Sequence, residues 1–186
     1  EKIQMTEDDE LTGLIKARDG FKVEVFARDL VNPRMLAVSD AGVLYATRRS
    51  VGDVVMLKDG DGDGAADGAV TVASRPGMHG IAFDGDKVFL VTIHDVYTAD
   101  VNDDGTFGPL TRIINDLSDA GQHANRTLGI GPDDMLYISS GSTCNECQED
   151  NPENAALLRA SKDGKSRTIF ASGLRNTIGF AWEPIN

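Results

Sequence analysis

Cysteine is nearly missing from this chain of 186 residues: there are two, Cys144 and Cys147, in one Cys-x-x-Cys. A lone pair excludes a four-ligand structural zinc site, and it stands outside any βαβ redox context. Basic residues are outnumbered, with 18 Lys and Arg against 30 Asp and Glu, for a net charge of -12. That balance repels nucleic acid and anionic membrane surfaces, and it argues for a small-molecule or cation partner. Long apolar runs are absent as well, and none approaches the ~20 residues of a spanning helix. No signal peptide is present. Because the sequence starts on Glu1 and not on Met, a processed or trimmed chain is expected, with any localisation signal removed.

What is there is enough for one sizeable core, since 40% of the residues are hydrophobic. Residues 1–20 are polar and weakly patterned, and read as an N-terminal arm or a short helix. From Phe21 the pattern alternates: FKVEVFA sets Phe21, Val23 and Val25 on one face and Lys22, Glu24 and Phe26 on the other, the period of a strand.

A repeat then dominates residues 21–186. MLAVSDAGVLYATRR at 35–49 is an apolar strand, an Asp/Gly turn and a second apolar strand. GIAFDGDKVFLVTIH at 80–94 and LGIGPDDMLYISSG at 128–141 have the same form, and GFAWEP at 179–184 begins a fourth copy. Taking Ala37, Ala82, Gly129 and Ala181 as equivalent, the spacings are 45, 47 and 52 residues. The repeats run near 35–80, 80–127, 128–178 and 179–186. Between the hairpins lie DVVMLKD, AVTVAS, DVYTAD, TRIIND, AALLRAS and SRTIFAS as further strand candidates. Four short strands in each ~40–50 residues are the mark of an all-β fold of β-propeller blades. A β-sandwich with regular strand spacing is the alternative, and a recurring unit that includes its loops favours the propeller. A propeller closes on ~4–8 blades, whereas this chain holds about three and the start of another. Open blades leave sheet edges and apolar faces bare, so another copy or a missing C-terminal half is expected to complete the ring.

The densest run of chemistry is DAGQHANRTLGIGPDDMLYISSGSTCNEC, residues 119–147. It sets a glutamine, a histidine and an arginine directly before a rigid hairpin, where a scaffold holds a group steady. A second feature is DGDGDGAADG at 59–68. Asp59, Asp61, Asp63 and Asp67 occupy positions 1, 3, 5 and 9 of an EF-hand-type calcium loop, with Gly64 at 6. Position 12 is Val70, so the bidentate Glu is missing, and a solvated loop is the competing reading. DVNDDG at 100–105 repeats only the first half.

QHANRTLGIGPDDMLYISSGSTCNEC, ALLRASKDG and ASGLRNTIGFAWEP resemble the soluble quinoprotein sugar dehydrogenases of the glucose/sorbosone dehydrogenase family. CNEC and RTLGIGPD are most similar to the sorbosone or pyranose dehydrogenase branch, and GFKVEVFARDLVNPRMLAVSDAGVLYATR resembles its first blade. The likeness covers roughly residues 20 to 186. It implies a six-bladed propeller that binds pyrroloquinoline quinone (PQQ) with calcium and oxidises sugars, in the periplasm or outside the cell.

Residue by residue, the resemblance makes His123 the general base, since an imidazole suits removal of a hydroxyl proton near neutral pH. A histidine bonded to a loop carbonyl is the plain alternative. Gln122 falls where a polar contact to the sugar is expected. Arg175 and Asn176 match the family's Arg-Asn pair, which polarises a quinone oxygen; an inter-blade anchor is the alternative for Arg175. Arg126 belongs to the same turn and is expected on a cofactor carboxylate, with Arg48 or Arg49 doing likewise. His79 stands at the equivalent start of the second hairpin and is expected to face the site, whereas His94 reads as structural. The family also favours a local Cys144–Cys147 disulfide. A quinone or a cytochrome c would accept the electrons. The further basic residues and backbone calcium ligands of the family lie beyond GFAW, so residues 1–186 alone are not expected to be a competent enzyme. A lactonase-type propeller hydrolase and a non-catalytic binding propeller are the other classes considered.

Overall fold

The computed structural model describes residues 12–119 and 121–183. Most of the arm assigned to residues 1–20 lies outside them. The strands are β1 (Leu36–Val38), β2 (Leu44–Arg48), β3 (Asp53–Leu57), β4 (Ala69–Ser74), β5 (Gly80–Asp84), β6 (Lys87–Val91), β7 (Val96–Asp100), β8 (Thr111–Ile114), β9 (Leu128–Ile130), β10 (Leu136–Ser140), β11 (Ala156–Ala160) and β12 (Arg167–Ser172). They form three antiparallel four-stranded sheets, each a meander in chain order: β1 to β4, β5 to β8 and β9 to β12.

The sheets repeat in detail. Ala37 pairs with Tyr45, Ala82 with Phe89 and Gly129 with Tyr137, so the three hairpins share one register. Each sheet also shifts register at the matching place on its third strand, between Val54 and Val55, Val96 and Tyr97, and Leu157 and Leu158. A bulge there bends and twists the outer strand. The turns explain the sequence pattern: Gly42 and Asp134 adopt positive φ where the first hairpin strand reverses in sheets one and three.

First strands lie side by side, β5 touching both β1 and β9, so the sheets stand as consecutive blades around a common edge. Two apolar layers fill the gaps. Tyr45, Val54, Met56, Ile81, Val88 and Leu90 join the first two sheets. Phe89, Val91, Ile114, Leu128, Ile138 and Leu158 join the second and third. Three four-stranded meanders stacked through their faces, first strands side by side, make a partial β-propeller.

Two expectations change. FKVEVFA forms no strand: Phe26, Ala27 and Leu30 instead lie on the face of the first sheet against Ala46, Val55 and Leu57. Alternation supplies two faces, but a strand also needs a hydrogen-bonding neighbour, and the segment covers a face where no sheet edge is offered. Residues 179–183 likewise form no strand. Trp182 packs on Tyr137 at 4.5 Å between ring centroids, covering the outer face of the third sheet.

Because a meander alternates ends, segments 49–52, 75–79, 92–95, 115–119, 121–127, 141–155 and 173–178 all gather at one end of the sheets. The aspartate loop between β3 and β4 lies at the other.

Candidate functional site at the inner ends of the blades

Three residues hold equivalent positions, three before the matched Ala37, Ala82 and Gly129: Arg34, His79 and Arg126. Packing gives them different fates. In place of the cofactor contact expected for it, Arg126 is fully buried between the second and third sheets. Its Nε donates to the Ile93 carbonyl at 2.5 Å, and its terminal nitrogens donate to the carbonyls of Ser139 and Ser118. Burial pushes the guanidinium down to about 10, with Glu153 and Asp119 pulling it back up, and it remains cationic at neutral pH.

His79 is also buried, and its Nδ1 bonds the Arg126 carbonyl at 2.8 Å. Burial, with Arg34 and Arg49 nearby, lowers its pKa against the opposing bond to that carbonyl. The ring is therefore neutral with the proton on Nδ1, and Nε2 carries a lone pair. That Nε2 has no protein partner, and neither do the buried Nε of Arg49 and Oδ1 of Asn125. Two shallow depressions share Arg34 and Asn125; one adds Asn32, Arg49 and Ser50, the other His79, Thr127, Asn176, Thr177 and Ile178. Buried polar atoms left unpaired are uncommon, and here three of them, Arg49 Nε included, belong to residues lining one mouth that also carries the Arg34 guanidinium.

A pH effect follows. The folded-state pKa of His79 lies below its unfolded value, so on acidification through about 6.5 the unfolded chain takes up a proton that the folded chain refuses. This contribution to stability is present above that pH and lost below it. His79→Gln should flatten the fall in melting temperature between pH 7 and pH 5; a slope identical to wild type would show that His79 takes no part.

His123 ends a short 3₁₀ turn, Gly121–His123. Its ring Nδ1 lies 3.1 Å from the Ser142 carbonyl and 3.0 Å from Ser142 Oγ. The Oγ proton goes to the Cys144 carbonyl, so both Ser142 oxygens accept from Nδ1–H and the Nε2 lone pair is left outward. Gln122 is exposed beside it, its N–H on the Thr143 carbonyl at 3.2 Å. Gly141 and Gly121 permit this approach: a Cβ on Gly141 would collide with His123, and one on Gly121 would press on Thr143 at 3.0 Å. Arg175 reaches the same loop, its guanidinium donating to Asn145 Oδ1 at 2.8 Å and its carbonyl accepting from Ser142 N–H at 2.8 Å. Cys144 and Cys147 form a disulfide that closes the loop.

Of the two neighbouring arginines left open by the sequence, Arg48 is bound in a bidentate pair to Asp53 across β2 and β3, at 2.8 and 2.5 Å. Arg49 faces the mouth. Arg48 is thus not available to a cofactor, because its partner is built into its own sheet. His94 is exposed and bonds the Leu117 carbonyl at 3.2 Å. In the aspartate loop, carboxylate oxygens of Asp59, Asp61 and Asp63 lie within 4.8 Å of one another. Asp67 instead accepts from Gly60 N–H at 2.8 Å, closing the loop. Arg34 and Asn125, common to both depressions, are among the mouth residues that sequence reasoning passes over; the 45-residue repeat linking Arg34 to His79 is the signal that finds the first.

Consecutive blades with first strands side by side define a propeller, and polar groups gather at one end of those strands. The chain belongs to the TrAA12-like family, whose model matches residues 15–186. A curated relative, the "Pyrroloquinoline quinone-dependent sugar dehydrogenase" of Hypocrea jecorina, is 26% identical over 194 residues, covering 91% of this chain. The chain spans 45% of that relative's length. Among solved structures, the calcium structure of a Trichoderma reesei family AA12 enzyme aligns at a TM-score of 0.70, with 22% identity, over 88% of this chain and 46% of that one. The holo pyranose dehydrogenase PQQ domain of Coprinopsis cinerea aligns at 0.67, with 18% identity, over 80% and 40%. At these identities the structures show a shared fold. The likeness to quinoprotein sugar dehydrogenases read from the sequence is borne out at the level of the family. Among the described residues no helix is long and apolar enough to cross a membrane.

Proposed function

We propose that this chain forms part of a PQQ-dependent dehydrogenase that oxidises a sugar, with the cofactor held over the mouth lined by Arg34, Arg49, His79 and Asn125. The observation that carries the reading is the set of unpartnered buried atoms there, Arg49 Nε, His79 Nε2 and Asn125 Oδ1. PQQ combines carboxylates with a pyrrole N–H. Guanidinium groups suit the carboxylates, and two acceptors suit the N–H, so the residues present fit the group. When bound, the quinone supplies an acceptor for the hydride that leaves the sugar carbon.

His123 then takes the hydroxyl proton on Nε2, its Nδ1–H held by Ser142. Arg175 and Asn176 complete the same end, Asn176 on the mouth and Arg175 against the disulfide loop, where a guanidinium can stabilise negative charge on an oxygen. Gln122 is assigned to the sugar. The activity is proposed for the protein as a whole, since this chain spans 45% of the curated relative's length. A local disulfide fits an oxidising compartment, and we assign the protein to the periplasm or the exterior.

The test is a titration of the full-length apoprotein with PQQ, read by absorbance, followed by sugar-dependent dye reduction. Arg34→Ala and Arg49→Ala should each weaken binding by about tenfold or more, the value of a charge-assisted hydrogen bond. Unaltered PQQ affinity in both variants would rule out this mouth as the cofactor site.

Calcium on the aspartate loop is a separate part of the proposal, with a structural role. Three carboxylates within 4.8 Å repel one another, and a hard cation with oxygen ligands relieves that. Calcium should raise the melting temperature of the wild type, and Asp61→Ala or Asp63→Ala should abolish the rise. A chelator titration with no change in melting temperature removes the idea.

A further inference from the structure

We propose that the loop from Ser142 to Cys147 is a positioning device that sets the tautomer of His123 and the place of Arg175 together, with Ser142 and Asn145 as positioning residues. The inference rests on His123 being the base of the proposed reaction. One short segment contacts both groups. The Ser142 carbonyl takes the backbone N–H of His123 at 3.2 Å and faces its Nδ1 at 3.1 Å, while Ser142 Oγ faces the same Nδ1 at 3.0 Å. From its other side, Ser142 N–H holds the Arg175 carbonyl at 2.8 Å. Asn145 Oδ1 holds the Arg175 guanidinium at 2.8 Å.

The wiring has a direction. Since Ser142 Oγ donates its own proton to the Cys144 carbonyl, it can only accept from His123. Two acceptors on Nδ1 disfavour the tautomer with the proton on Nε2, which could not take a proton from substrate. The loop is itself held at both ends. Cys144 is bonded to Cys147, and Glu149 accepts from Thr143 N–H and Thr143 Oγ1, each at 2.9 Å. Ser142 is buried, so its hydroxyl has little water to turn towards.

The experiment uses full-length protein labelled with ¹⁵N in its histidine rings, where the ring nitrogen shifts report the tautomer without cofactor. Wild-type His123 should show the Nδ1–H form alone. Ser142→Ala removes one of the two acceptors and leaves the carbonyl, so it should admit the Nε2–H form as a minor species; Cys144→Ser with Cys147→Ser should admit it as well, while Ser142→Thr restores the wild-type pattern. In the reconstituted enzyme, kcat should fall about three- to tenfold in Ser142→Ala and about 10²-fold in the double cysteine variant, the cost of a small misplacement. KM should hardly move. Asn145→Ala should lower kcat about three- to tenfold with the His123 tautomer unchanged. If the double cysteine variant fails to fold, Ser142→Ala decides, because it keeps every backbone contact. An Nε2–H form in the wild type, or an unchanged tautomer in Ser142→Ala, overturns the proposal while leaving His123 free to be the base. A changed tautomer with unchanged turnover overturns the role of His123 and leaves the contact standing.

Discussion

Replacing His123 by alanine should lower kcat by about 10²–10⁴, the usual value of a general base, and leave PQQ binding nearly intact. The separation follows from geometry. The mouth assigned to the cofactor is lined by Arg34, Arg49, His79 and Asn125, and His123 is not among its residues. Its ring is instead turned into the loop at Ser142, with Nε2 outward. Alanine therefore removes a proton acceptor and two contacts to Ser142, without touching a guanidinium. An interaction made only as the proton leaves shows in kcat and not in binding. The measurement is dye reduction by the reconstituted full-length enzyme, beside a PQQ titration of the same variant. Turnover within a factor of a few of wild type would make this histidine a structural residue that bonds a loop carbonyl.

Arg126→Met should cost about 3 kcal/mol or more of stability, a drop of about 10 °C in melting temperature for a domain of this size. Methionine fills much of the volume and carries no charge, so the burial penalty on the guanidinium disappears with it. What remains is the larger effect. The carbonyls of Ile93, Ser118 and Ser139, drawn from the β6–β7 turn, the connection after β8 and strand β10, lose their shared donor in a buried interface. The Arg126 carbonyl also holds His79 Nδ1, so the mouth should loosen with the interface. Arg126→Lys should recover only part of the loss, because one ammonium cannot fork towards three carbonyls. Thermal unfolding of the three proteins decides it. A shift below about 2 °C for Arg126→Met would mean that water replaces the guanidinium without difficulty.

The two predictions treat differently two side chains that the sequence places in one turn, three residues apart, and the difference is tertiary. The strands themselves are local: the short apolar runs at 44–48 and 87–91 and the Asp/Gly turns before them need only their own residues, and the hairpins form where the pattern puts them. The repeat is legible for the same reason, since each blade must bury the same faces and carries the same spacing. FKVEVFA has the alternation too, yet it lies on a sheet face and forms no strand, because pairing depends on a neighbour that its own sequence does not describe.

The site divides along the same line. That chemistry clusters at 119–147 and 175–176 is visible in residue types, and a meander carries those segments to one end of the sheets. Which arginine meets the mouth is not visible. Arg48 and Arg49 are adjacent, and the choice is made by the register that sets Arg48 opposite Asp53. Arg34, His79 and Arg126 share one repeat position, but the gap between the second and third sheets closes over Arg126, while Arg34 stays at the rim. Sequence by itself determined the blade, its turns and the end at which polar groups collect, because these follow from local backbone preference and period. Packing between blades decided which polar atoms are consumed by carbonyls and which are left for a ligand, because hydrogen-bond satisfaction in a buried interface depends on groups far apart in the chain.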